Sequence, residues 1–202
     1  LTDSEQREFD YPPVLSLDTR ALCFNITADL EKRINRLRTN TNKVGFLLQY
    51  GYFKACKRFF VINRFRQEDI EYTAKVLGIS LGNIDFSQYK KKIPADHKIA
   101  ILKLLEYRPF EGDTLQWIGR EIIRRVECFT DPRTVFLEVL DLLHRQHIEI
   151  PSYYQLSELI TQHYLNYEEK LLKIIDKNIS LEDVAQHIGL SSNYLSKYFK
   201  KV

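Results

Sequence analysis

Ten basic side chains stand between Lys32 and Arg66 with no carboxylate among them: Lys32, Arg33, Arg36, Arg38, Lys43, Lys54, Lys57, Arg58, Arg64 and Arg66. Such cations grip phosphate oxygens, Arg through a planar fork of donors and Lys as a point charge. With 27 acidic residues in 202, a window of this length would hold about five carboxylates. Outside it, 20 Lys and Arg face 27 Asp and Glu, so a chain of net charge +3 keeps its positive charge in one place. Phe46, Tyr50, Tyr52, Phe53, Phe59 and Phe60 are interleaved with the cations, which marks a segment that folds. The pattern points to a surface for a polyanion, with a solvated basic face as the competing reading.

A second set of groups with chemistry lies near the C-terminus. Ser192, Asn193, Ser196, Lys197 and Lys200 fall on one face of a segment whose other face is Tyr194, Leu195, Tyr198 and Phe199. Hydroxyl, amide and ammonium groups in that array suit base edges and phosphates. Just upstream, Leu181, Val184, Ala185 and Ile188 form an apolar stripe that Gly189 ends. A small residue at the helix crossing, a glycine at the turn and an aliphatic beyond it match a helix-turn-helix.

Other constellations are weaker. His144, His147 and Glu149 have something of a metal-ligand spacing but no fourth donor, so surface histidines are the better reading. No phosphate loop, nucleophile elbow or paired general acid and base stands out. Neither metal nor cofactor is expected, and Trp117 reads as core. Cys23, Cys56 and Cys128 are odd in number and widely spaced, as free thiols in a reducing compartment would be. The longest uncharged apolar run, Val44 to Phe53, is too short to span a bilayer, so no membrane is expected. With no methionine at its visible start and no signal peptide, the chain reads as a cytoplasmic fragment.

The elements that must position these groups read as helices throughout. A first helix is expected over Leu17–Arg38, with Ser16 as N-cap and Leu30, Ile34 and Leu37 on one stripe. Asn40–Phe60 reads as a second helix, or a pair interrupted at Gly51. Gln67–Leu77 follows, with Ile70, Ala74 and Leu77 inward and Gly78 as terminator. Ser80 to Lys92 is a polar joint. Beyond it come a helix near Pro94 with Ile99, Leu102 and Leu105 at helical spacing, then Thr114–Cys128, then Pro132–Gln146 behind an Asp131 cap. A capping box at Ser152 and Gln155 opens a last helix from Tyr153 through Tyr164 towards Leu171–Ile175. The expected fold is all-α, as successive three-to-four-helix units: residues 1–80, 81–176 and 177–202.

Several motifs carry a family likeness. Leu1-Thr2-Asp3, Phe9-Asp10-Tyr11-Pro12-Pro13, Asn40 through Phe53, Phe65-Arg66-Gln67-Glu68-Asp69-Ile70, Tyr107-Arg108-Pro109-Phe110 and Glu149-Ile150-Pro151-Ser152-Tyr153 resemble, in order and spacing, the N-terminal region of Tn-three family transposases. The likeness covers residues 1 to about 176 and implies a helical region that binds the terminal inverted repeats of a bacterial transposon. It implies double-stranded DNA as partner, a transposase chain or a second copy as further partners, and a place at the nucleoid. The catalytic portion with its metal-binding acidic triad is expected to be missing, so no enzyme activity is expected. Residues 180–202 are similar instead to the first helix-turn-helix of AraC/XylS-type transcription regulators. That likeness places Ser192, Asn193, Ser196 and Lys197 in the major groove. A natural fusion, a remnant reading frame and a chimera all fit the junction. The N-terminal candidates for DNA contact are Arg36, Arg38, Lys43, Lys54, Lys57, Arg58, Arg64 and Arg66. A transcription regulator acting through the terminal motif, and a module that docks protein partners, are the alternative readings.

Overall fold

Thr2 and Glu5 start the chain with a reciprocal cap. The Thr2 hydroxyl accepts the Glu5 N–H and the Glu5 carboxylate accepts the Thr2 N–H, opening α1 (Asp3–Asp10). Apolar periodicity gives no sign of this helix, because Phe9 is the one large apolar side chain in it. The computed structural model describes residues 1–90, 92–128 and 131–176; the terminal motif with Ser192, Asn193, Ser196, Lys197 and Lys200 lies outside them.

The helix expected over Leu17–Arg38 is two helices. α2 (Leu17–Cys23) starts at Ser16 as expected, and α3 (Ala28–Asn35) starts afresh when the Thr27 hydroxyl accepts the Leu30 N–H. The break turns Phe24 into the interior, where it is 1% exposed. Leu30 and Ile34 are buried as their spacing predicts.

α4 (Asn40–Cys56) is one unbroken helix, and Gly51 does not interrupt it. Every residue from Val44 to Phe53 is buried, so α4 is the central rod that α2, α3, α5 and α6 pack around. A helix apolar on all sides has no stripe, which is why periodicity says little about it. Gly51 has a packing reason instead: a Cβ there would lie 2.0 Å from a Phe24 ring carbon. The helix ends when Lys57 takes the left-handed conformation at φ 60°.

α5 (Gln67–Val76) ends in a Schellman turn, with Gly78 at φ 65°, its N–H on Lys75 O and the Ile79 N–H on Ala74 O. Two single 3-10 turns, Leu81–Asn83 and Phe86–Gln88, form the joint to α6 (Lys92–Leu104). In α6 the interior face is His97, Ala100, Ile101 and Leu102, while Ile99 is exposed. α7 (Gly112–Val126) follows, and α8 (Pro132–Arg145) opens with Asp131 accepting the N–H groups of Arg133 and Thr134. α9 (Tyr153–Asp176) opens with the expected Ser152–Gln155 exchange. The chain is all-α, and among the described residues it has no strand beyond one isolated bridge between Arg108 and Ile148.

Two apolar cores form, and they do not follow chain order. The first gathers α2 to α6 and runs on to Leu105 and Tyr107; the second gathers α7, α8 and α9. α1 joins the second core, where Phe9 meets Phe136 edge-on at 5.7 Å and Tyr153 at 6.4 Å. A cut between residues 80 and 81 therefore leaves α1 and α6 with the wrong neighbours. Residues 11–16 carry the chain from one core to the other. No helix among the described residues is long and apolar enough to cross a membrane.

Candidate nucleic-acid interface

The acid-free window splits into two populations. Lys54, Lys57, Arg58, Arg64 and Arg66 sit on the end of α4 and the loop after it, and all five are turned onto the protein itself. Lys54 Nζ donates to Leu22 O at 2.8 Å and Lys57 Nζ to Lys54 O at 2.7 Å, so each caps carbonyls near a helix C-terminus. Arg64 Nη1 donates to Asp10 O at 2.6 Å and Arg66 Nε to Pro12 O at 2.8 Å. These two guanidinium groups hold the crossing strand of chain that joins α1 to α2. The Arg58 guanidinium lies 3.9 Å from the Phe9 ring centre, and its buried Nη1 has no hydrogen-bond partner. The negative face of the ring answers that charge in place of an oxygen. Burial lowers the pKa of Lys57, consistent with an ammonium drawn partly out of water.

The other population lies on α3 and the turn into α4. Lys32, Arg33, Arg36 and Arg38 are exposed and Lys43 is half-buried. Lys32 pairs with Asp29 at 3.4 Å across one helical turn. The side chains of Arg33, Arg36, Arg38 and Lys43 make no hydrogen bond, ion pair or ring contact with the described residues. The Arg33 charge reaches His97, which burial and that charge hold well below its ordinary value, at about 4. His97 is therefore neutral at pH 7, with Nδ1 2.7 Å from the Tyr89 hydroxyl.

One acidic group just beyond the window, Asp69, is used in the fold. Asp69, fully buried, accepts Arg20 Nε at 2.7 Å and the Tyr52 hydroxyl at 2.8 Å, while the Tyr52 oxygen accepts the Arg66 N–H. Burial and the neighbouring carboxylate raise the pKa of Tyr52, so it serves as a neutral donor. A buried pair is costly to break because the remaining charge has no water to turn to. The sequence offers no signal for this network, since Asp69 looks like an ordinary first-turn carboxylate.

Across the seam between the cores, Lys98 Nζ meets Glu149 at 2.5 Å, the Ile150 N–H reaches Lys57 O at 2.9 Å, and Arg108 exchanges backbone bonds with His147 and Glu149. Burial pushes the Glu149 carboxyl up against the opposing pull of Lys98. Lys98 was not among the sequence candidates, and Glu149 was weighed there only as a metal ligand. The trio His144, His147 and Glu149 is dispersed: His144 is exposed, His147 is left-handed at φ 51° with its ring stacked on Tyr107 at 5.0 Å, and Glu149 turns to Lys98. Among the described residues no three His, Cys, Asp or Glu gather as metal ligands. Trp117 is half-buried against the second core. A cleft of about 310 Å³ beside Arg58 is walled by Phe9, Phe59, Phe60 and Tyr154. Asp10 offsets one of the two guanidinium charges there, those of Arg58 and Arg64.

The family described as a domain of unknown function (DUF4158) matches residues 1–163, which take in both cores and the paired and unpaired cations alike. The chain belongs to this family. The DUF4158 domain is found in Tn-three family transposases. The match includes α1, so this helix is part of the DUF4158 domain rather than a leader to it. No curated protein matches the chain.

Proposed function

We propose that this chain is a non-catalytic DNA-binding region that recognises the ends of a Tn-three family transposon. The observation that carries this reading is membership, over residues 1–163, of a domain family found in those transposases. The segregated charge supports it, because a surface for duplex DNA needs cations in excess of local carboxylates. On this reading the cations supply affinity and register through phosphates, while base selection comes from groups that reach a groove. The test is titration against a duplex carrying the terminal inverted repeat and against a scrambled duplex of equal length. Tighter binding to the repeat is expected, and equal affinity for both refutes end recognition.

The resemblance of residues 180–202 to a helix-turn-helix favours a second reading, a transcription regulator that selects bases through Ser192, Asn193, Ser196, Lys197 and Lys200. Removing residues 180–202 separates the two. Loss of sequence preference supports the regulator, and intact preference supports the transposase reading.

A further inference from the structure

We infer that the phosphate grip is the α3–α4 corner alone, formed by Arg33, Arg36, Arg38 and Lys43, and that the rest of the acid-free window is internal fastening. This rests on the DNA-binding reading above and narrows it to four side chains, one of which, Arg33, was not among the sequence candidates. The argument is one of competing acceptors. Arg64, Arg66, Lys54 and Lys57 already donate to backbone carbonyls, and Arg58 is committed to the Phe9 ring. A phosphate that took the part-buried donors of Lys57, Arg64 and Arg66 would strand the carbonyls they now satisfy, while the exposed Lys54 bond would cost least to give up. Among the described residues, the side chains of Arg33, Arg36, Arg38 and Lys43 have no such partner to give up.

Position agrees with availability. At about 100° per residue, Lys32, Arg33 and Arg36 share a third of the α3 circumference, with Lys32 and Arg36 opposite the Leu30 and Ile34 stripe and Arg33 at its border beside Leu30. Arg36 keeps helical angles at the C-cap, so it continues that face. Arg38 follows on the turn and Lys43 in the first turn of α4, so the four positions lie within eleven residues around one helix–helix junction. Asp29 shares the arc one turn earlier, and Lys32 neutralises it, which removes Lys32 from the grip. Arginine in three of the four places suits phosphate, since its fork can take two oxygens at once.

The count sets the salt dependence. Four released counterions give a slope of log affinity on log salt of about −3.6, against about −9 if all ten cations gripped phosphate. Affinity for a mixed-sequence duplex should therefore fall about 150-fold between 50 and 200 mM salt. The triple variant Arg33→Gln/Arg36→Gln/Arg38→Gln should bind weakly and lose only about 3-fold over the same range. The comparison variant is Arg64→Gln/Arg66→Gln, with Lys54→Gln as a milder control should the double variant lose its helical circular dichroism. The controls should keep the parent slope, with the double variant showing a lower thermal midpoint. A parent protein that binds while the triple variant keeps its slope, or a folded control that flattens it as much, overturns the corner and leaves the DNA-binding reading standing. No binding of the parent to any duplex at low salt overturns both.

Discussion

Gly51→Ala should destabilise the protein although it lies in the middle of a helix. In an exposed helix interior the same change stabilises by about 1 kcal/mol, because alanine loses less backbone entropy. Here the new methyl carbon would sit 2.0 Å from Cε1 and 2.1 Å from Cδ1 of Phe24. Ordinary carbon contacts are about 3.5–4 Å, so the ring must retreat by about 1.5 Å. It has no room to do so. Phe24 is 1% exposed and wedged between Tyr52, at 6.0 Å, and Tyr72, at 5.9 Å. Tyr52 is in turn pinned by its hydrogen bond to Asp69. Overpacking of this kind costs about 3 kcal/mol, so after the propensity gain the net loss should be about 2 kcal/mol. Urea denaturation followed by circular dichroism reads it as a lower midpoint at unchanged slope. Adding Phe24→Leu should recover part of the loss, with a coupling of about 1 kcal/mol or more across the pair. A Gly51→Ala variant as stable as the parent would refute the close approach and restore Gly51 as a flexible joint.

Burial of neutral His97 makes stability pH-dependent. Its folded pKa, about 4, lies below the ordinary 6.5, so the unfolded chain binds the proton more readily. Stability is therefore full above pH 6.5 and falls as pH drops towards 4, by about 2 kcal/mol at pH 5. Denaturation of the parent and His97→Gln at pH 7 and pH 5 should show a smaller pH loss in the variant, and equal losses would refute the assignment. Glu106 is exposed at φ 58°, so Glu106→Gly should stabilise by about 1 kcal/mol, read as a higher thermal midpoint. Asp69→Ala leaves the largely buried Arg20 guanidinium without its carboxylate and should cost about 3 kcal/mol. An unchanged urea midpoint would show that solvent reaches Arg20.

Much of the helix pattern is legible in the residues because its signals are local. Ser16, Asp131 and the Ser152–Gln155 pair mark helix starts through side chains that reach only two or three residues along the chain. Gly78 marks a helix end through its own backbone angle. Capping also explains two failures. α1 has a full capping box but little apolar stripe, and Thr27 breaks a stripe that would otherwise run from α2 into α3. At α1 a hydrogen bond a few atoms long acts where periodicity is silent, and at Thr27 it outweighs a periodic pattern.

The sequence by itself determined that this chain is helical, that it keeps its positive charge between Lys32 and Arg66, and that it shares its motifs with a family found in Tn-three transposases. These properties are carried by residue type and by spacing along the chain. Which cations face water was decided only by the tertiary structure. Arg33 and Arg64 are the same residue with the same charge. One stands on the open face of α3, and the other is spent on the Asp10 carbonyl, 54 residues away. A donor is free or taken according to which distant acceptor the packing brings within about 3 Å, and charge patterning along a chain holds no record of that distance.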